Sequence, residues 1–232
     1  MTILTQPAEL NPEQPLLSLI AALGLLLAVA CGALAAVFAL PFLAPGLVNS
    51  ILGPEPKAYW ELARASGIVA YLLLWLSVVF GLLVSSKMAR GWIGGLAAVD
   101  LHQFTSLLAL AFALFHALIL LGDQYIHYTL LQIIIPFASV NYHPVWVGLG
   151  QLAFYLAIPL TFSFYFRKWI GYGMWRALHF ASFIAFAFIT LHGLLAGTDT
   201  THWAILPLYA TTGATVFFLT FYRMFTLTRA PA

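Results

Sequence analysis

The chain has 232 residues, 63% apolar and only 7% charged, with a formal net charge of +2. Ordinary globular domains are about 45–50% apolar and about 25% charged, so nine Lys and Arg with seven Asp and Glu leave too little charge to cover a water-facing surface. No basic patch of the kind a nucleic-acid binder needs is present, and the single cysteine, Cys31, forms no internal disulfide.

A helix crossing the hydrocarbon layer needs ~20 largely apolar residues. The charged residues leave uncharged stretches at 14–54, 65–86, 101–122, 124–166, 177–198 and 200–222. Spans are expected at 16–40, 60–85, 98–121, 145–166, 174–196 and 203–225. The expected fold is an all-α integral membrane protein with six transmembrane helices in a bundle. It occupies residues 16–225, with short tails at 1–15 and 226–232. The first stretch lacks the basic flank of a signal peptide and exceeds the ~7–15-residue apolar core of one. It therefore reads as a membrane helix.

Pro41, Pro45, Pro54 and Pro56 mark the connection after the first span as irregular. Residues 86–97 form a short basic turn whose glycines follow no strand, so they are not a phosphate loop. Between the third and fourth spans the apolar run from Leu130 to Phe137 is too short to cross. It reads as a helix or re-entrant piece at the outer interface. His143-Pro144 opens the fourth span, with proline at the first helical position. Pro159 and Pro207 are expected to kink the fourth and sixth spans. No internal repeat is visible. Lys87, Arg90, Arg167, Lys168, Arg176, Arg223 and Arg229 all fall on one side of a six-helix path, against Lys57 and Arg64 on the other. Positive charge marks the cytoplasmic side. Both termini are therefore expected in the cytoplasm, with the chain in a bacterial inner or plasma membrane.

Ionisable side chains within a bilayer are costly and point to a site. His102 and His116 lie on the third span, His179 and His192 on the fifth. Both spans are odd-numbered and run in the same direction, so the four form two pairs, His102 with His179 and His116 with His192. Spacings of 14 and 13 residues separate the layers by about 20 Å at 1.5 Å per residue. Two imidazoles at one depth suit the axial positions of a haem iron, and helix bundles build such cofactor sites in their cores. Zinc would want three or four ligands together. The expected cofactors are two b-type haems, since no Cys-x-x-Cys-His is present for covalent attachment. A 14-residue spacing returns to within roughly 40° of the same face, whereas 13 residues miss by about 140°. Either the fifth span departs from ideal geometry or the haems approach it from different sides.

With these residues in view, the chain resembles the ferric reductase-like transmembrane domain. That superfamily includes ferric reductases, NADPH oxidases and the haem subunit serving periplasmic methionine sulfoxide reductase. The matching residues are Arg64-Ala65-Ser66-Gly67, Leu101-His102, Phe115-His116, Leu178-His179 and Leu191-His192, within about 58–225. The resemblance implies that His102 and His179 hold an inner haem, and His116 and His192 an outer one. Ferric reductases and NADPH oxidases carry a flavin and nicotinamide module after the last helix. No flavin or nicotinamide site is expected in this chain, so the electron donor is expected to be a separate flavoprotein or a membrane quinol.

Arg64 is a candidate for a haem propionate or for an ion pair with Glu61, three residues away on the same helical face. Arg167, Lys168 and Arg176 are further candidates near His179, and Asp100 either orients a group or caps its helix. Phe180, Phe183, Phe186, Phe188, Phe112 and Phe115 suit packing against haem, and Gly67, Gly81 and Gly193 suit close approach of a helix or haem. His127, His143 and His202 are expected in outer loops. The expected function is electron transfer across the membrane to an outer-side acceptor: ferric iron, oxygen or a redox protein. Alternatives are a quinol-oxidising cytochrome b subunit of a larger complex, a haem-binding sensor or assembly factor, and a structural or transport protein without haem.

Overall fold

The computed structural model describes residues 15–48, 58–91 and 93–228. Glu9, Glu13, Pro54, Glu55, Pro56, Lys57 and Arg229 lie outside the described residues. Those described form helices and connections without strands: α1 (Leu19–Leu43), α2 (Pro45–Val48), α3 (Ala58–Ser85), α4 (Gly95–Ile119), α5 (Leu130–Ile134), α6 (Pro144–Ile170), α7 (Tyr172–His179), α8 (Ala181–Ala196) and α9 (Ile205–Thr228). Six helical segments are long and apolar enough to cross a membrane, the fifth made of α7 and α8 together. The protein is a six-helix, all-α membrane protein. Its large apolar side chains face outward to a degree no soluble protein tolerates: Ile20, Phe42 and Trp203 are each more than 80% exposed. That surface is matched to lipid, where an outward leucine or phenylalanine costs nothing.

Two helix pairs form the centre. α3 packs along α4, and α6 along α8; α1 covers α4, and α9 covers α3. α3 and α6 run in one direction, α4 and α7–α8 in the other. The two hairpins therefore share one plan, although the sequence shows no repeat. One end of the bundle is basic, with Lys87, Arg90, Arg167, Lys168, Arg176 and Arg223; Arg64 and Asp199 sit at the opposite end.

Several sequence expectations are corrected. Pro41 lies inside the last turn of α1 rather than in the connection after it. Its missing N–H leaves the Val37 carbonyl without the usual helical donor. The buried Tyr59 hydroxyl fills that place, donating to Val37 O and Ala36 O at 3.2 Å each. Pro207 is the third residue of α9. A first-turn N–H has no intrahelical acceptor anyway, so this proline starts the helix instead of kinking it. Pro159, by contrast, lies inside α6, as expected for the fourth span. Asp100 does not cap its helix, because α4 begins at Gly95 with Gly94 as the cap, six residues before Asp100.

The apolar run at 130–137 resolves as a short helix. Thr129 and Gln132 form a reciprocal capping box at its start. Its last carbonyls are taken by α6: Gln151 Nε2 donates to Gln132 O at 2.7 Å and Ile133 O at 2.8 Å, and the Tyr155 hydroxyl donates to Ile134 O. Satisfying these carbonyls allows a five-residue helix to persist where water is scarce. Nearby, Tyr142 donates its hydroxyl to Ala196 O and ties this connection to the end of α8. Burial raises the pKa of the Tyr142 phenol, keeping it a donor.

Candidate haem-binding site

Gly67 and Gly81 on α3 face α4, and Gly150 on α6 faces α8. A methyl group added at each would meet one histidine ring: 2.9 Å from His116 Nδ1, 3.3 Å from His102 Cε1 and 2.7 Å from His192 Nδ1. Each ring rests where a side chain is missing. Four residues before each glycine, a backbone carbonyl accepts from the same ring. His116 Nδ1 donates to Ala63 O at 2.6 Å, His102 Nδ1 to Ser77 O at 2.8 Å, and His192 Nδ1 to Trp146 O at 2.9 Å. Three of the four spanning histidines thus occupy one recurring slot, a helical carbonyl with a glycine one turn later.

The slot fixes the chemistry of each ring. An amide carbonyl only accepts, so Nδ1 carries the proton and Nε2 is left with its lone pair. Histidines that ligate metals almost always donate their other nitrogen to such an acceptor, which sets the tautomer and raises ligand basicity. Around His102 the arrangement extends further: Ser77 Oγ lies 3.1 Å from Nδ1 and 2.6 Å from Ser106 Oγ.

The rings meet in the two expected pairs. His102 and His179 have centroids 5.8 Å apart, and His116 and His192 6.2 Å apart. An iron held about 2 Å from a nitrogen of each ring would put two imidazole centroids roughly 6 Å apart. All four histidines line one cavity of about 1090 Å³ between the helices. Among the described residues, no three His, Cys, Asp or Glu side chains come together as a metal-binding group. The donor set at each depth is two imidazoles and nothing more, which fits an axially ligated haem and does not fit a tetrahedral ion.

The phase problem in the fifth span is resolved by a break. α7 ends at His179 and α8 begins at Ala181, with Phe180 between them. Phe180 N divides its donation between Arg176 O, four residues back, and Ala177 O, three back, each at 3.3 Å, and Phe183 N donates to Phe180 O, also three back. Such bonds wind the chain at 3.0 residues per turn rather than 3.6, and the added twist brings a 13-residue spacing toward whole turns. The span departs from ideal geometry at the residue after His179, and both histidines reach the same cavity.

Arg64 lines the cavity near the His116–His192 pair. Its guanidinium donates to Glu61 at 2.9 Å, as expected from the helical spacing, and also to Asp199, a partner the sequence reading missed. With the two side chains partly exposed, the Asp199 contact is worth about 1 kcal/mol. Asp199→Asn is expected to lower the melting temperature of detergent-solubilised protein by about 2–4 °C. A melt followed by tryptophan fluorescence checks this, and an unchanged melting temperature would leave Glu61 as the sole effective partner.

At the basic end, Arg167 and Arg176 line the cavity, as do Lys87, Arg90 and Arg223. Lys168 and Asp100 do not line it, nor do Phe112, Phe115, Phe186 and Phe188, whereas Phe180 and Phe183 do. Phe186 is core, stacked on Tyr71 at 5.9 Å. Gly193 takes the Tyr209 hydroxyl of α9 rather than a histidine ring. His127, His143 and His202 are exposed and lie outside the cavity. Gly150 and the carbonyls of Ala63, Ser77 and Trp146 were missed. One signal was available for part of this: Gly67 and Gly81 are 14 residues apart, the spacing of His102 and His116 on the neighbouring antiparallel helix. No family model, curated protein or solved structure matches the chain.

Proposed function

We propose that the chain is a di-haem b-type membrane cytochrome that carries electrons across the membrane. In this reading His102 and His179 hold one haem and His116 and His192 the other, and each haem supplies a one-electron centre when bound. The observation that carries it is the pairing of spanning imidazoles, 5.8 Å and 6.2 Å between centroids, at two depths of one cavity. Three of the four rings have Nδ1 engaged by a backbone carbonyl, which orients the other nitrogen as a ligand. The resemblance of Arg64-Ala65-Ser66-Gly67 and of the histidine pattern to the ferric reductase-like transmembrane domain supports the same reading. Ser66 Oγ and His116 Nδ1 both donate to Ala63 O, with Gly67 leaving the space.

The residues divide the labour. The histidines bind, the glycine slots orient them, and the lipid-facing surface keeps water from the centres. Arg64 at one end and Arg167, Arg176 and Arg223 at the other are placed to meet haem propionates. By the charge bias of its loops, the basic end faces the cytoplasm, in a bacterial inner membrane. Electrons enter there from a separate flavoprotein or a membrane quinol and leave at the opposite end to an outer-side acceptor such as a redox protein. The chain then acts as the haem part of an oxidoreductase.

An absorbance spectrum of the purified protein, oxidised and dithionite-reduced, with haem quantified per chain, tests the proposal. The expected result is two b-type haems per chain. No haem in protein produced with haem supplied would overturn it.

A further inference from the structure

The fourth histidine breaks the pattern. None of the described glycines lies against the His179 ring, so no glycine slot receives it. On α6 the polar side chain that lines the cavity at this end is Ser163. The Ser163 hydroxyl is already engaged, donating to Leu160 O at 2.7 Å and accepting from Trp175 Nε1 at 3.0 Å. His179 Nδ1 is buried and has no hydrogen-bond partner. Its ring stacks on the face of Trp175, one turn back, at 5.2 Å. The backbone beneath it is the break at Phe180, where α7, only eight residues long, gives way to α8. His102, across the pair, has the full slot: the Ser77 carbonyl, the Ser77 hydroxyl and Gly81.

Resting on the di-haem reading, we infer that the haem at the basic end is anchored by His102 alone and that His179 is an exchangeable ligand. Without a carbonyl on Nδ1, His179 is the weaker base. Seated on a helix end rather than mid-helix, it moves away at lower cost than the other three. When it leaves, the basic-end site accepts a small uncharged diatomic ligand at the iron. The opposite-end site, with both rings slotted, does not.

The test uses the full-length reduced protein in detergent with carbon monoxide as the probe. The expected result is a Soret shift for one of the two haems in the wild type, and none for the other. His179→Ala is expected to keep both haems, one of them high-spin and readily converted by added imidazole, whereas His102→Ala loses one. Two haems that both stay low-spin and unreactive toward carbon monoxide would overturn the inference and leave the di-haem reading intact. So would loss of a haem from His179→Ala as complete as that from His102→Ala. A wild-type protein without haem would overturn the di-haem reading itself.

Discussion

On the di-haem reading, replacing His116 or His192 with alanine is expected to halve the haem content, from two per chain to one, while the basic-end haem keeps its spectrum. These two rings form the pair in which both members hold a backbone carbonyl, at 2.6 Å and 2.9 Å. Loss of either would remove one of the two equally supported imidazoles that would hold that haem, and neither site residue has a neighbour that substitutes for it: the loop histidines His127, His143 and His202 lie outside the cavity. The two single variants should therefore behave alike, in contrast to the unequal pair at the basic end. Haem quantification by the pyridine haemochrome method, with circular dichroism to confirm that the bundle is retained, reads the result. Full retention of two low-spin haems in both variants would remove these histidines from the ligand set.

The glycine slots offer the second large effect, with a built-in reversal of sign. In an ordinary exposed helix, Gly→Ala stabilises by roughly 0.5–1 kcal/mol, because alanine restricts the unfolded chain. Gly213 on α9 has nothing within 4 Å of the position a methyl would take, so Gly213→Ala should be neutral or stabilising. At Gly150 the methyl would stand 2.7 Å from two atoms of the His192 ring, and at Gly67 2.9 Å from His116 Nδ1. Those rings are clamped to carbonyls and cannot slide without losing them. Overpacking of this kind costs about 1–3 kcal/mol, and the displaced ring no longer presents Nε2 to the cavity. Gly150→Ala and Gly67→Ala should therefore lower the melting temperature and release the opposite-end haem. Gly81→Ala, with 3.3 Å to the His102 ring, should act in the same direction but less. Haem occupancy and melting temperature measured on all four variants decide the matter. Equal behaviour of Gly150→Ala and Gly213→Ala would show that the slots do not position the histidines.

Much of this protein is legible from its composition and charge spacing. Hydrocarbon accepts almost no charge, so sixteen charged residues in 232 divide the chain at its membrane boundaries with little ambiguity. The helix ends found for α3, α4, α6, the α7–α8 span and α9 lie within a few residues of those expected. The prolines were harder. Proline signals a disrupted helix by its own chemistry, but whether the disruption matters depends on where the helix starts and on who supplies the missing partner. Pro207 fell in a first turn, and Pro41 had Tyr59 waiting in another helix. Asp199 was invisible as a partner of Arg64 because 135 residues separate them in the chain.

The number of spans, their order and the height of each histidine along its helix can all be read from the order of the amino acids. All of these follow from hydrophobic length and a fixed rise per residue, quantities that add along one chain. The direction of each ring and the contacts of its second nitrogen arise only when the helices pack. The carbonyl of Trp146 and the missing side chain of Gly150 act on His192 only once α6 and α8 lie together, and the Nδ1 of His179 is left without an acceptor only by the way the packed helices meet. Helix contact is a property of two surfaces, and neither surface alone records which residue of the other it will meet.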